Sequence, residues 1–303
     1  MRWQKASTKC MNTVKQVAIV GGTHGNEMIG VELVKKFSLH PDLLQQYSFS
    51  VQTLLANPQA VAARTRYVDR DLNRSFERDR LQNQTLTRYE DRLAKQIDQM
   101  LGPYSDAPVD VILDMHSTTS NLGLTLIIDE ENQFTLQLAS YLQQINSSIK
   151  VYSTIHSGRR QDALRSLAKF GFCLEVGPIA QGVLTADLFQ KTEALIYTIL
   201  DYLEQYNRNQ VSLLNRSLTV YRYLEAIDYP RDEHGEIQAM IHPQLQFRDY
   251  EALHPGDSMF LTFEGETIYY NGAAVVYPVF INEAAYYEKG IAMCLTQKEN
   301  IIV

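Results

Sequence analysis

Short apolar runs alternate with segments of helical periodicity over the first two thirds of the chain. Short uninterrupted apolar runs are typical of buried strands, and apolar positions three and four residues apart are typical of helices. The predicted strands cover residues 17–20, 49–56, 109–115, 124–128 and 170–178. The predicted helices cover residues 29–37, 86–101, 134–145, 163–170 and 188–203. This alternation favours an α/β fold with a mostly parallel or mixed sheet.

The pattern changes after a polar run at residues 207–210. Beyond this run the apolar stretches are rich in β-branched and aromatic residues, and turns that contain glycine separate them. The strands predicted there cover residues 218–224, 259–263 and 267–270. We therefore predict two domains, residues 1–207 and a mostly β domain of residues 208–303.

The ends of three predicted strands carry polar residues that could form a functional site. His24 and Glu27 follow the first strand and a Gly-Gly turn. His116 follows the third strand, and Glu175 lies near the end of the last one. In α/β sheets, the crevice beyond the carboxyl ends of the strands is where ligands bind. We therefore expect these four side chains to lie close together.

The residue types at these strand ends are typical of a catalytic zinc site. Two imidazoles and one carboxylate bind zinc and leave a fourth position for water. A separate carboxylate is then needed to accept and pass on a proton. We predict that His24, Glu27 and His116 bind one Zn²⁺ per subunit and that Glu175 is the proton carrier. Asp114 is expected to share a strand face with His116 and to fix its tautomer.

An arginine-rich segment lies between residues 64 and 80 and contains Asp71-Leu72-Asn73-Arg74. One interpretation is a solvated surface with salt bridges, which suits Arg64, Arg78 and Arg80. The other is recognition of an anion, because the planar guanidinium group matches a carboxylate.

Composition argues against several classes of function. The net charge is −7, whereas nucleic-acid-binding domains are usually basic. No apolar run approaches the ~20 residues that span a bilayer, and residues 1–16 lack the apolar core of a secretory signal. Three widely spaced cysteines, Cys10, Cys173 and Cys294, favour a reducing cytoplasm over a disulfide framework. We expect a cytoplasmic protein that acts on a small molecule, without nucleic acid or membrane as a partner.

Five motifs are specific enough to indicate a family. They are Gly-Gly-Thr-His-Gly-Asn-Glu (21–27), Asp-Leu-Asn-Arg (71–74), Asp-Met-His-Ser-Thr-Thr-Ser-Asn (114–121), Glu-Val-Gly-Pro (175–178) and Asn-Glu-Ala-Ala-Tyr-Tyr-Glu-Lys (282–289). In this order they resemble the aspartoacylase family, which belongs to the succinylglutamate desuccinylase/aspartoacylase group and is related to zinc carboxypeptidases. The resemblance extends from about residue 17 to residue 289.

The resemblance implies a carboxypeptidase-like α/β/α sandwich followed by a smaller β-rich domain that narrows the entrance to the site. It implies hydrolysis of N-acetyl-L-aspartate to acetate and L-aspartate, with zinc-bound water as the nucleophile and Glu175 as the general acid/base. Related enzymes are often oligomers, so a homo-oligomer is left open.

Individual roles also follow from the resemblance. His24, Glu27 and His116 match the zinc ligands. Arg66 matches an arginine that polarises the scissile carbonyl. The residues that match substrate-binding positions are Arg66, Asn73, Arg74, Arg165, Glu175 and Tyr286. This chain has Gln161 where the family pattern has a substrate-contacting tyrosine, so the preferred acyl-amino acid stays open.

Three alternatives remain at this point. The first is an amidohydrolase with another side-chain preference, for instance for aromatic N-acetyl amino acids. The second is a cysteine amidase that uses Cys173, which alternation places on the same strand face as Glu175; a small buried cysteine is the simpler interpretation. The third is a metal-binding protein without catalytic activity.

Overall fold

The structure is a computed structural model that describes residues 13–157, 161–211 and 216–303. A sheet of nine strands runs through these residues. Three further strands of these residues form a small separate sheet. The strands are β1 (Gln16–Gly21), β2 (Ser50–Leu55), β3 (Val111–Ser117), β4 (Gly123–Ile128), β5 (Lys150–Ser153), β6 (Phe170–Gly177), β7 (Ser217–Ile227), β8 (Ala239–Ile241), β9 (Ser258–Thr262), β10 (Thr267–Tyr269), β11 (Tyr277–Val279) and β12 (Met293–Ile302). The large sheet has the order β11-β12-β7-β5-β4-β6-β3-β1-β2.

Helices cover both faces of the large sheet. They are α1 (Met28–Leu39), α2 (Pro58–Ala63), α3 (Arg78–Gln82), α4 (Tyr89–Leu101), α5 (Gln133–Ile145) and α6 (Ala186–Asn207). On β1, Val17 and Ile19 share a buried cluster with α1, α5 and α6. Ala18 and Val20 share another with α4. Because successive strand residues point to opposite faces, the helices form two outer layers, and the predicted α/β/α sandwich is confirmed.

The three strands that carry the candidate site are neighbours. β1, β3 and β6 lie side by side and run parallel. Their carboxyl ends therefore meet at one edge of the sheet. β3 and β6 are in a register that places His116 directly opposite Glu175.

The C-terminal part is rich in strands, as predicted, but it does not stand apart from the large sheet. β7 pairs in parallel with β5, and β12 and β11 continue the sheet in antiparallel pairing. The small sheet β10-β9-β8 has its own buried cluster, which includes Tyr229, Phe260 and Ile281. The sequence pattern missed β5, which is only four residues long, and β12, whose polar run at residues 297–300 hides its periodicity.

Two predicted helices are shorter in the structure. The helix predicted at 163–170 is a 3₁₀ turn, Leu164–Leu167, because Phe170 already pairs with Val111 as the first residue of β6. The helix predicted at 86–101 begins at Tyr89. Other 3₁₀ turns cover Pro41–Leu44, Leu72–Arg74 and Ala284–Lys289. Among the described residues, no helix has the length and apolar character needed to cross a bilayer.

Candidate active site

The loop between β1 and α1 brings His24 and Glu27 together. Gly22 has a φ of 68°, which glycine adopts without strain, and this allows the sharp turn after β1. A Cβ atom on Gly25 would lie 2.0 Å from the backbone of Ala60, so glycine is required for the loop to pack against α2. Glu27 is the residue before α1 rather than part of its first turn. His24 Nδ1 lies 2.6 Å from Glu27 Oε1.

His116, near the end of β3, completes a buried group of three metal-ligand side chains. Its Nδ1 atom lies 2.8 Å from Glu27 Oε2 and 3.1 Å from His24 Nδ1. One ligand atom from each of the three residues can be chosen so that all lie within 4.8 Å of one another, and all three residues are buried. Zinc binds nitrogen and oxygen ligands at about 2.0–2.2 Å. The spacing of these atoms therefore suits a single ion between them.

Two aspartates set the orientation of the imidazoles. His24 Nε2 lies 3.0 Å from Asp71 Oδ1, and His116 Nε2 lies 2.9 Å from Asp114 Oδ2. With Nε2 protonated and donating to its aspartate, each imidazole would have Nδ1 available to bind a metal ion. The donor set therefore fits a zinc ion. Asp114 contacts His116 as expected, and its role in fixing the tautomer stays a prediction. Asp71 lay in a quoted motif but had no assigned role.

The electrostatics of the group also favour a cation. Burial alone would raise the pKa of Glu27, but His24 and His116 outweigh it and lower the pKa well below its ordinary value. Burial alone would lower the pKa of His116, but Asp114 and Glu27 raise it well above its ordinary value. The carboxylates around the imidazoles thus retain their negative charge and attract positive charge.

Glu175 lies beside this group without being part of it. Its side chain is buried on β6, opposite His116. Burial raises the pKa of Glu175 to about 8, with His116 opposing and Glu27 and Glu283 adding to the rise. A carboxyl group with a pKa near neutrality can both accept and donate a proton.

A cavity of about 320 Å³ opens over the metal-ligand group. Six of the residues predicted to act on substrate line it: Arg66, Asn73, Arg74, Arg165, Glu175 and Tyr286. Gln161 is exposed and lines a smaller neighbouring cavity, together with Arg165. One wall of the main cavity is apolar. Its residues belong to, or lie next to, strands on the side of β6 away from β3: Ile127, Tyr152, Tyr223, Phe280, Ile291 and Cys294.

The cavity residues of the arginine-rich segment have different surroundings. Arg66 Nη1 donates to Glu27 Oε1 at 3.1 Å, whereas its buried Nε has no hydrogen-bond partner among the described residues. Arg74 lies 3.6 Å from Asp162. Asn73 accepts a hydrogen bond from Leu164 N, and its amide nitrogen lies 3.0 Å from His116 Nε2. The same nitrogen donates to Asp114 Oδ2 at 3.4 Å, so the side chain of Asn73 helps to hold the aspartate that contacts His116.

Arg165 is buried and forms an ion pair with Asp129. Its Nε and Nη2 atoms donate to the two carboxylate oxygens at 2.7 and 2.9 Å. Thr154 donates to the same carboxylate at 2.5 Å. This paired geometry fixes the guanidinium plane at the cavity wall. Asp129 was not identified from the sequence.

The 3₁₀ turn Ala284–Lys289 and the residue that precedes it bring three C-terminal side chains to the cavity: Glu283, Tyr286 and Lys289. Glu283 accepts hydrogen bonds from the Thr118 hydroxyl and from Thr119 N at 2.7 Å, so it ties this segment to the end of β3. The motif at 282–289 contained Glu283 and Lys289, but only Tyr286 had been given a role. Their contacts span more than 160 residues of sequence, which no local pattern records.

Cys173 lines the cavity but does not resemble a nucleophile. Its Sγ atom lies 3.9 Å from Glu175 Oε2. Burial, together with the charge of Glu175, raises the pKa of the Cys173 thiol well above its ordinary value. A reactive cysteine needs the opposite shift.

A buried His-Glu-His group, next to an unliganded carboxyl group at the carboxyl edge of an α/β sheet, is typical of metal-dependent hydrolases. The chain belongs to the succinylglutamate desuccinylase/aspartoacylase family. The model of the catalytic domain of that family matches residues 13–203, and the model of its barrel-sandwich hybrid domain matches residues 216–298.

Individual relatives agree with this family. A probable aspartoacylase of Nostoc sp. is 55% identical over 96% of this chain and 99% of its own. The N-acyl-aromatic-L-amino acid amidohydrolase (carboxylate-forming) of Mus musculus is 43% identical over 95% of this chain and 92% of its own. The crystal structure of murine aminoacylase 3 superposes with a TM-score of 0.90 at 41% identity, covering 97% of this chain and 98% of that one. Together they indicate an amidohydrolase.

Proposed function

We propose that the protein hydrolyses the amide bond of an N-acyl-L-amino acid and releases a carboxylate and the free amino acid. The first candidate substrate is N-acetyl-L-aspartate, which would yield acetate and L-aspartate. The observation that carries the proposal is the position of Glu175, which is buried beside the His24–Glu27–His116 group without belonging to it. The zinc ion would be held by Nδ1 of His24, Nδ1 of His116 and the carboxylate of Glu27.

Glu175 would carry the proton through the reaction. Zinc, when bound, supplies a Lewis acid and makes water acidic near neutral pH. Glu175 takes one proton from the attacking water while the new carbon–oxygen bond forms. It then gives that proton to the amide nitrogen as the carbon–nitrogen bond breaks, so the amine leaves without negative charge. Burial raises the pKa of Glu175, which favours the second transfer, and a bound zinc ion would lower that pKa, which favours the first.

Arg66 would stabilise the oxygen of the scissile carbonyl as negative charge develops there. Its Nε donor has no acceptor among the described residues, while Nη1 is held by Glu27. Loss of one such hydrogen-bond donor typically raises the activation free energy by about 2.7–4 kcal/mol. Arg74, Asn73, Arg165 and Tyr286 remain our candidates for substrate binding, and Asn73 would also hold Asp114 against His116.

A second candidate substrate class is N-acyl aromatic amino acids. Asp129 already engages two donors of Arg165, which reduces the positive charge offered to an acidic side chain. The apolar wall that includes Tyr152 and Phe280 could pack against an aromatic ring. The murine relative named for aromatic substrates supports this candidate.

We also propose that residues 1–207 form the catalytic domain and that residues 208–303 shape the entrance to the cavity. The contribution of Glu283, Tyr286 and Lys289 to the cavity wall supports this division. A reducing cytoplasm is our proposed location, because Cys173 and Cys294 are both free thiols.

The test is hydrolysis by the purified protein with its metal content measured. We expect the zinc-loaded protein to cleave N-acetyl-L-aspartate or N-acetyl-L-phenylalanine, a chelator to abolish the activity, and added zinc to restore it. Glu175→Gln should bind zinc like the wild type and lose at least about 100-fold in kcat. Zinc-loaded wild type with no activity on either substrate would instead indicate a metal-binding protein without catalysis, and normal turnover by Glu175→Gln would refute its role.

A further inference from the structure

Lys289 reaches the cavity from the C-terminal part of the chain. It is the last residue of the turn Ala284–Lys289, and it lines the same cavity as the metal-ligand group. Its Nζ atom lies 3.1 Å from Asp71 Oδ2 and 5.3 Å from the ring centre of Tyr286. Only 23% of the side chain is exposed. The ammonium group is therefore held in a defined position between two elements of the site.

The ammonium of Lys289 has more donors than the protein uses. Among the described residues, Asp71 is the single hydrogen-bond acceptor found for it. An ammonium carries three N–H donors, so two remain for a ligand. Burial lowers the pKa of Lys289, and Asp71 only partly offsets this effect. A partly buried cation with one anionic partner is stabilised by a second anion.

Lys289 lies next to Arg66, the residue that we propose for the scissile carbonyl. Lys289 and Arg66 both approach the same oxygen of Asp71, at 3.1 and 3.7 Å, so their cationic groups are neighbours. Arg66 would contact the scissile carbonyl, and the α-carboxylate is only a few bonds from that carbonyl. Asn73 is less available for this carboxylate, because its carbonyl oxygen accepts from Leu164 N and its amide lies against His116.

We propose that Lys289 binds the α-carboxylate of the substrate, with Asp71 holding the ammonium in place. This inference rests on the proposed function and adds a residue to the binding site. Because the α-carboxylate is common to all N-acyl amino acids, Lys289 would contribute to binding whatever the side chain is. It would act on substrate binding and not on the chemical step, so it changes KM more than kcat.

The experiment compares Lys289→Met with Lys289→Arg and with Lys298→Met. The first removes the charge at similar length, the second keeps it, and the third removes an exposed lysine of β12 as a matched control. Each zinc-loaded variant is assayed with N-acetyl-L-aspartate, its α-amide and its β-amide. We expect Lys289→Met to raise KM about 10- to 100-fold for the acid and the β-amide, with kcat within about threefold. The α-amide should show no such change, Lys289→Arg should recover part of the loss, and Lys298→Met should behave as wild type.

The outcomes separate this inference from the proposed function. An unchanged KM in Lys289→Met, with an active wild type, would refute the role of Lys289 alone. A loss confined to the α-amide and the acid would place Lys289 at the side-chain carboxylate and refute the assignment. Weaker zinc binding in Lys289→Met, measured by competition with a chelator, would show that Lys289 supports the metal site through Asp71 and His24 instead. If Lys289→Met unfolds, Lys289→Gln is assayed in its place. If the wild type cleaves only N-acetyl-L-phenylalanine, the same comparison is made with that substrate and its α-amide. Wild-type protein that is inactive on all of these substrates would refute the proposed function itself.

Discussion

His24 and Asp71 form the contact that decides which nitrogen of His24 faces the other ligand atoms. The Nε2 atom of the imidazole lies 3.0 Å from Asp71 Oδ1, and a proton donated there would leave Nδ1 to bind the metal. Asp71 Oδ1 also accepts from Asn73 N at 3.0 Å, which anchors the carboxylate in the turn Leu72–Arg74. The pair gives His24 the support that Asp114 gives His116.

Replacing Asp71 should weaken metal binding. Loss of such a supporting partner typically lowers metal affinity about 10- to 100-fold. We expect this for Asp71→Ala, and a smaller loss for Asp71→Asn, which keeps one acceptor oxygen. Zinc affinity is measured by competition with a chromogenic chelator, and the exposed Asp79→Ala serves as the control. Wild-type affinity in Asp71→Ala would show that Asp71 does not support His24.

Asp249 should make stability depend on pH. It accepts hydrogen bonds from the backbone of Asn121 and Ile281, and burial raises its pKa to about 7 from 3.8. Between about pH 4 and 7 the folded protein keeps a proton that the unfolded chain releases, so stability falls as pH rises. Relative to Asp249→Asn, the wild type should lose up to about 1.4 kcal/mol of unfolding free energy per pH unit in this window. Urea denaturation at several pH values measures this, and a constant difference would contradict it.

The pair Arg165–Asp129 should influence the choice between acidic and aromatic substrates. Arg165→Met removes the cation from the cavity wall, so the ratio of kcat/KM for N-acetyl-L-aspartate to that for N-acetyl-L-phenylalanine should fall about tenfold or more. The double variant Arg165→Met/Asp129→Asn controls for the carboxylate left without its partner. An unchanged ratio in both variants would mean that Arg165 does not contact the substrate side chain.

Cys173→Ala should retain activity. The thiol is buried, and its pKa is raised well above the ordinary value by burial and by Glu175, so a thiolate nucleophile is disfavoured. We expect kcat/KM within about threefold of wild type and full sensitivity to chelators, since the metal group is intact. Two results together would support the cysteine amidase instead: a folded Cys173→Ala protein without activity, and wild-type activity that resists chelators.

The polar residues at the ends of the strands could be predicted from the sequence, because each directly follows or ends an apolar run. An apolar run followed by His24, His116 or Glu175 indicates a side chain at the carboxyl edge, and neighbouring parallel strands then bring these residues together. Asp114 could be placed for the same reason, since it shares a strand face with His116. Helices α1, α4, α5 and α6 followed from periodicity, whereas α2 and α3 were not predicted. The six predicted substrate residues that line the cavity followed from the family resemblance.

The supporting residues could not be found in this way. Asp71 reaches His24 through a 3₁₀ turn, and Lys289 reaches Asp71 across 218 residues of sequence. Asp129 is an ordinary acidic residue after β4 until the fold sets it against Arg165. The joining of β7 and β12 to the large sheet was also missed, because strand order is a tertiary property and β5, which links them, is short.

The most direct test of the account is an anomalous-difference X-ray map of zinc-loaded crystals, recorded above and below the zinc absorption edge. We expect one strong peak bounded by His24 Nδ1, His116 Nδ1 and the carboxylate of Glu27, at about 2.0–2.2 Å from each, with Glu175 nearby but not bound to the ion. A zinc peak elsewhere, or none at this position in a protein shown to contain zinc, would contradict the metal site on which the proposed function depends.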